Sequence, residues 1–164
     1  MRKFVLIAFL YASTLTAQVK MELTPSGFAP VEFERPSLET TKLIELSQSW
    51  ASNYNRRELD IYDITSSSLK IDAVRQNAFY YRNRGDTYFY NIRYTLDIRF
   101  RETTGTVTFE VKEIFVKQTP VKKTIADFFS PDGRLKSDFL DVKPSLEETA
   151  QSIVSSYLAF ISRQ

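Results

Sequence analysis

From Leu59 to Lys117 apolar residues return at every second position, most regularly in DTYFYNIRYTLDIRFR, residues 86–101. Tyr88, Tyr90, Ile92, Tyr94, Leu96, Ile98 and Phe100 share one side, while Asn91, Arg93, Thr95, Asp97, Arg99 and Arg101 share the other. A period of two sustained over this length predicts a long antiparallel strand with one face on a core and one toward solvent. The segment before it places Leu69, Ile71, Ala73, Phe79 and Tyr81 in one phase, and the segment after it places Val107, Phe109 and Val111. After Val111 the phase slips to Ile114 and Val116, which predicts a β-bulge near Lys112. A shorter strand is expected at 59–65. Val31 and Phe33, alternating with glutamates between Pro30 and Pro36, predict an edge strand, because proline cannot donate to a ladder.

Two segments change to helical spacing. Leu43, Leu46, Trp50 and Tyr54 predict a helix over about 38–53, with Ser37 as its N-cap. Leu146, Ala150, Ile153, Tyr157, Phe160 and Ile161 predict a second, started by a capping box of Ser145 and Glu148. The element order is β-α-β-β-β-β-α. It implies an α+β domain over 29–164: a curved antiparallel sheet of about five strands with two helices on one face. Residues 118–143 read as an irregular connection with a helical turn at 125–129 and a Pro131-Asp132-Gly133 turn, folding back on the core or over the open face. Residues 18–28, polar and without a period, read as a flexible linker.

Turn chemistry sets an expected register. Gly85-Asp86 as a type II′ turn and a loop centred on Thr104-Gly105 would place Asp72 opposite Arg99, Arg99 opposite Glu110, and Asp97 opposite Lys112. The polar face is then a self-neutralised ladder, and Asp72 and Asp97, the available carboxylates for acid–base work, are each assigned a cation. Arg84-Gly85-Asp86, which spells an adhesion tripeptide, is accounted for as that turn.

Charge and composition narrow the chemistry. The first 17 residues have basic Arg2 and Lys3, an apolar run from Phe4 to Tyr11, and small residues ending at Ala17, the pattern of a cleavable export signal. The run is too short to span a bilayer, so no integral membrane segment is expected after cleavage. Removing it takes the formal charge from +2 to zero, with 20 residues of each sign. That balance gives no basic bias toward nucleic acid, and none is expected as a partner. The chain has neither cysteine nor histidine, which removes disulfides, the usual zinc ligands, and thiol or Ser-His nucleophiles. No catalytic residue, cofactor or metal is expected.

The aromatic stretch AFYYRNRGDTYFYNIRY has a mixed assignment. Phe79, Tyr81, Tyr88, Tyr90 and Tyr94 fall on the core side, leaving Tyr80 and Phe89 outward. With Arg82 and Arg93 they form a candidate contact patch at the hairpin tip, suited to a protein or a glycan.

VEFERPSLETTKLIELSQSWASNYN with its central Trp50, the strands around Ile64 and Ile71, and the hairpin YNIRYTLDIRFRETTGTVTFEVKEIFV ending in Glu113-Ile114 together resemble a family of exported bacterial domains of unknown function with a TBP-like fold. The resemblance covers about residues 30–117. It implies a strand-helix-four-strand-helix domain in the envelope of a Gram-negative bacterium. The leading functional expectation is a periplasmic or secreted, non-enzymatic domain that binds an envelope protein or other ligand through its open sheet face. The alternatives are a small carboxylate-dependent hydrolase or glycan-processing protein using Asp72 or Asp97, and a carbohydrate-binding module.

Overall fold

The computed structural model describes residues 20–55 and 58–164. The expected export signal at 1–17 lies outside them. In chain order the elements are a small hairpin of β1 (Leu23–Thr24) and β2 (Gly27–Phe28), then β3 (Val31–Glu34), α1 (Thr40–Tyr54), β4 (Leu59–Tyr62), β5 (Ser68–Asn83), β6 (Asp86–Phe100), β7 (Thr104–Val116), β8 (Thr119–Pro120) and α2 (Val142–Ile161). The main sheet has the order β3-β7-β6-β5-β4, antiparallel throughout, and β8 pairs with the end of β7. This is the α+β architecture implied by the alternation.

The alternation also chooses the buried side. Tyr90, Ile92, Tyr94, Leu96, Ile98 and Phe100 of the central strand β6 are all buried, flanked by Leu69, Ile71, Ala73 and Phe79 of β5 and by Val107, Phe109 and Ile114 of β7. The apolar stripes of α1 (Leu43, Ile44, Trp50, Ala51) and α2 (Leu146, Ala150, Ile153, Tyr157, Ile161) complete the core. Each fully buried large side chain contributes about 1.5–3 kcal/mol of transfer free energy, so the two stripes are what hold the helices to the sheet. The buried polar atoms here are paired: Ser47 Oγ donates to Leu43 O at 2.7 Å and lies 3.0 Å from the Tyr157 hydroxyl. Burial pushes the Tyr157 phenol well above its ordinary range, so it stays a neutral donor.

The expected bulge is present: Arg93 pairs with Glu113 and Tyr94 with Val111, leaving Lys112 as the extra residue. A second irregularity sits between Arg75 and Phe79 of β5, with Asn77 at φ 50.

Other local expectations are corrected. The segment read as a linker is part of the fold from residue 20. Met21, Leu23 and Phe28 are buried, and the Met21 and Leu23 amides donate to Gln151 Oε1 (2.9 Å) and Glu147 Oε1 (2.8 Å) of α2. Ser37 is not a cap. The Leu38 amide bonds to Pro36 O at 2.8 Å in a tight turn, and the Arg35 guanidinium holds that turn by donating to Leu38 O (2.6 Å) and Arg101 O (2.7 Å), so α1 starts only at Thr40. In α2 the capping box does not form, because the helix begins three residues before Ser145. Pro144 fits in its first turn, where no amide partner is needed. The Ser145 hydroxyl turns back to Asp141 O at 2.6 Å.

The tight turn of the long hairpin is Arg84-Gly85, with φ 51 and 90, not Gly85-Asp86. Positive φ at both central residues is type I′. The next connection closes earlier than expected, with the Arg101 amide on Thr104 O at 2.8 Å. Gly105 is therefore a strand residue, lying under the Phe33 ring. A Cβ there would sit 2.2 Å from that ring, which itself packs edge-on to Phe100 and Tyr157. Gly105→Ala should destabilise the protein by about 1–3 kcal/mol through overpacking. Urea unfolding checks this, and an unchanged midpoint would show that Phe33 is free to move.

Candidate contact surface on the open sheet face

Everything that covers the sheet covers one side. Within 118–143, Phe128 lies against Phe79 (centroids 5.6 Å apart) and Phe139 against Tyr81 (5.2 Å), so this segment extends the helix layer. Among the described residues no element crosses the other face. Alternation fills that face with Asp60 and Tyr62 of β4, Lys70 and Asp72 of β5, Arg93 to Arg99 at odd numbers of β6, and Thr106 to Glu110 at even numbers of β7.

The face is charge-compensated, but its wiring differs from the expected register. Asp72 is opposite Thr95 instead of Arg99, Arg99 lies between Ser68 and Thr106, and Asp97 lies between Lys70 and Thr108. The close ion pairs run along strands: Asp97–Arg99 at 2.8 Å and Glu110–Lys112 at 3.2 Å. Lys70 pairs with Asp63 at 2.8 Å, and Arg93 sits between Glu58 (3.4 Å) and Glu113 (3.7 Å). The hydrogen bonds from Arg99 hold the Asp97 carboxyl below the usual aspartate range, with the charges of Arg99 and Lys70 adding to them.

Asp72 is organised differently. Its Oδ1 accepts from the Tyr62 hydroxyl at 3.0 Å and from the Thr95 hydroxyl at 2.5 Å, and no ion pair reaches it among the described residues. Burial, and the Asp72 charge after it, raise the Tyr62 phenol, so it remains a donor. Asp72 is thus a hydroxyl-bonded carboxylate across from Asp60, and Asp97 is an Arg-paired one on the next strand. The two have separate partners and do not form a dyad. No group of three or more acidic side chains converges among the described residues as a metal site would require.

Of the four candidate patch residues, the structure gathers three. Tyr80 and Phe89 are cross-strand partners with ring centroids 5.8 Å apart, and the Arg82 guanidinium lies 5.2 Å from the Tyr80 ring while pairing with Asp141 at 3.6 Å. Phe89 is 52% exposed. Arg93 is on the same face but four residues along the strand, about 13 Å away at the usual rise. It lines a separate depression of 170 Å³ with Val74 and Phe115. Between the two lies Asn91, a residue without a role in the sequence reading: its amide donates to Lys117 O at 3.0 Å and accepts from the Asn77 amide at 2.8 Å, tying the β5 irregularity to the end of β7. An isolated Asn in an aromatic strand was its only signal.

Tyr88, expected in the core, is 44% exposed and stacks on Tyr81 at 5.1 Å. The hairpin runs past the end of the β6–β7 pairing at Asn91, so the layer that buries the rest of this side no longer covers its tip. A larger depression of 600 Å³ lies beside Pro36, but the Arg35 guanidinium at its wall is already bonded to backbone carbonyls.

A six-stranded antiparallel sheet with both long helices on one side and an uncovered opposite face places the chain in the TBP-like class of α+β folds. Two solved structures are similar over 82% of the chain. One is a DUF4468 family protein from Bacteroides ovatus (9% identical, TM-score 0.57, 82% of that chain covered), and the other is a TBP-like protein from Parabacteroides distasonis (11% identical, TM-score 0.51, 89% covered). At these identities the likeness is one of fold. No family model matches the sequence, and no curated protein does. No helix among the described residues is long and apolar enough to cross a membrane.

Asp97 permits a signed test. Its carboxyl is lowered in the fold, so its contribution to stability is complete above the unfolded aspartate pKa near 4 and is lost as pH falls through the lower folded value. The stability difference between wild type and Asp97→Asn should therefore close on acidification. Denaturation midpoints at pH 7 and pH 2 measure it, and an equal gap at both would dismiss the Asp97–Arg99 pairing as its source.

Proposed function

We propose that this protein is an exported, non-enzymatic binding domain of the bacterial envelope whose contact surface is the open sheet face together with the Tyr80–Arg82–Phe89 cluster at its end. One observation carries the reading: both long helices and the 118–143 segment pack on the same side, leaving a broad polar face on which Asp97, Arg99, Glu110 and Lys112 are ion-paired and Asp72 is hydroxyl-bonded, and beside which Phe89 stands half exposed. A shallow face of this kind suits a protein or glycan surface better than a small substrate, which needs a concave pocket with convergent polar groups. Aromatic rings and an arginine beside a paired-charge field are the composition of a contact anchor with a polar rim. Export rests on the basic, apolar and small-residue succession of residues 1–17 and accords with the Bacteroides and Parabacteroides sources of the similar structures.

The test is affinity capture from envelope extract with the chain lacking residues 1–17. Phe89→Ala with Arg93→Ala should reduce recovery of any specific partner at least about tenfold, the effect of losing one anchor of about 1.4 kcal/mol. Lys42→Ala on the helix side should leave recovery unchanged. Equal recovery with all three proteins would reject the open face as the contact surface.

A further inference from the structure

On the helix side of the long hairpin the rings continue past the end of the core. Tyr90 is buried and stacks on Phe79 at 5.0 Å, Tyr81 lies 5.8 Å from Tyr90, and Tyr88 stacks on Tyr81 at 5.1 Å with 44% of its surface exposed. The 118–143 segment meets this column from the side. Phe139 packs edge-on to Tyr81 at 5.2 Å, and Leu140, the next residue, is 65% exposed. Val116, in phase with the buried Ile114 and so on the same side of the sheet, is exposed at the end of β7. Three of the five exposed large apolar side chains among the described residues therefore stand at this one corner, and an apolar concentration of that kind marks an interaction site.

The border of the corner is basic. Lys123 Nζ lies 4.6 Å from the centroid of the Phe139 ring and 5.6 Å from that of Phe128. The stretch from Lys117 to Lys123, KQTPVKK, carries three lysines and no carboxylate. Arg93, Arg99 and Lys112 on the open sheet face are held in ion pairs, but none of these three lysines pairs with a described residue. Asp127, in the same segment, is taken by the Thr124 amide at 2.6 Å and its hydroxyl at 3.0 Å. With Arg84 at the hairpin turn, four cations border the corner against two carboxylates, Asp86 and Asp138, in a chain that carries no net charge after residue 17.

We propose that this corner rests on the surface of an anionic phospholipid bilayer, with Tyr88 and Leu140 among the headgroups and Lys117, Lys122 and Lys123 against the lipid phosphates. Three apolar side chains fall far short of the roughly 800 Å² per partner that a stable protein interface needs. A bilayer surface asks for less, because tyrosine and leucine gain burial at headgroup depth while charge attraction adds to it. The choice of cation agrees. Lysine is a flexible point charge suited to a fluid layer of phosphates, whereas a fixed carboxylate or phosphate site favours the planar fork of arginine. Phe89, one position from Tyr88, points to the opposite side of the ribbon, so this contact leaves the open sheet face uncovered. The inference does not rest on the envelope-binding reading, since it uses the other side of the hairpin.

Co-sedimentation of the chain lacking residues 1–17 with lipid vesicles tests it. Vesicles of equal parts phosphatidylglycerol and phosphatidylcholine should bind at least about tenfold more tightly than phosphatidylcholine alone, and added salt should weaken the binding. Lys122→Gln with Lys123→Gln should weaken it at least about tenfold, and Leu140→Ser at least about threefold. Phe89→Ser should stay within about twofold of wild type, because that ring faces the other way. Binding that ignores anionic lipid, or an unchanged lysine variant, overturns the proposal. So does an unchanged Leu140→Ser protein, which would assign the corner to a soluble polyanion, and a Phe89→Ser loss equal to that of Leu140→Ser, which would assign the contact to the open face. A fluorescence reporter covers the case in which a lysine variant misfolds: over the background of buried Trp50, Tyr88→Trp emission should shift to the blue on anionic vesicles and Phe89→Trp emission should not. An unshifted Tyr88→Trp also overturns it.

Discussion

A strand that alternates without interruption has one apolar face and must spend it on a single side, and the rest of this structure depends on that constraint in β6. From Tyr90 to Phe100 every second side chain is buried. The two strands beside it are obliged to place their own apolar phase on the same side, and each element outside the sheet has only that side on which to gain burial energy. Both helices, the N-terminal hairpin through Phe28 and the 118–143 segment through Phe128 all go there. The open face is the complement of that choice. Its Asp, Arg, Lys and Thr residues are where alternation puts whatever the core does not use.

The same rule explains which parts of the architecture were legible from the residues and which were not. Faces are a matter of parity, so the helix stripes, the strand phases and the one-residue bulge at Lys112 could be read, the last because one extra residue flips the phase. Register depends on partner identity, which parity does not see. Moving the hairpin turn from Gly85-Asp86 to Arg84-Gly85 shifts each partner by two residues, and the irregularity between Arg75 and Phe79 shifts them by two more. Both are even shifts, so each strand keeps its faces, and Leu69, Ile71, Ala73, Phe79 and Tyr81 still meet apolar partners on β6. The expected Asp72–Arg99 pair therefore became Asp72–Thr95 without any conflict in the hydrophobic pattern, and the central carboxylate of the open face acquired hydroxyl donors in place of a guanidinium.

Elements stabilised by distant side chains were illegible for a different reason. The β1–β2 hairpin has two-residue strands and no period to detect. The Leu23 amide in it and the Met21 amide just before it are satisfied by Glu147 and Gln151, more than 120 positions later, so nothing near it in sequence announces it. The two Pro-Ser-Leu-Glu stretches mislead similarly. In one, Arg35 clamps the proline turn and delays the helix; in the other, the proline is already inside the first turn and the serine serves as an acceptor for Tyr80. Local capping preference was overridden by contacts that only the tertiary structure supplies. Gly105 is a further case, a glycine required by the closeness of Phe33 and not by a turn.

The candidate patch was half legible for a reason that joins these points. Tyr80 and Phe89 share the outward face by parity, but only the turn at Arg84-Gly85 makes them direct partners; a turn at Gly85-Asp86 would set Tyr80 opposite Asn91 and Phe89 opposite Arg82. Arg93 shares their face but lies beyond Asn91, where β7 begins to pair and supplies Glu113 as its partner. The strand thus changes character at Asn91. Toward Phe100 it is a central strand, fully paired and half buried; toward Asp86 it is one arm of a ribbon that outruns its neighbour. The aromatic residues that alternation assigns to a core continue past the point where a core exists to receive them, which is why Tyr88 is exposed although its phase is that of Tyr90 and Ile92.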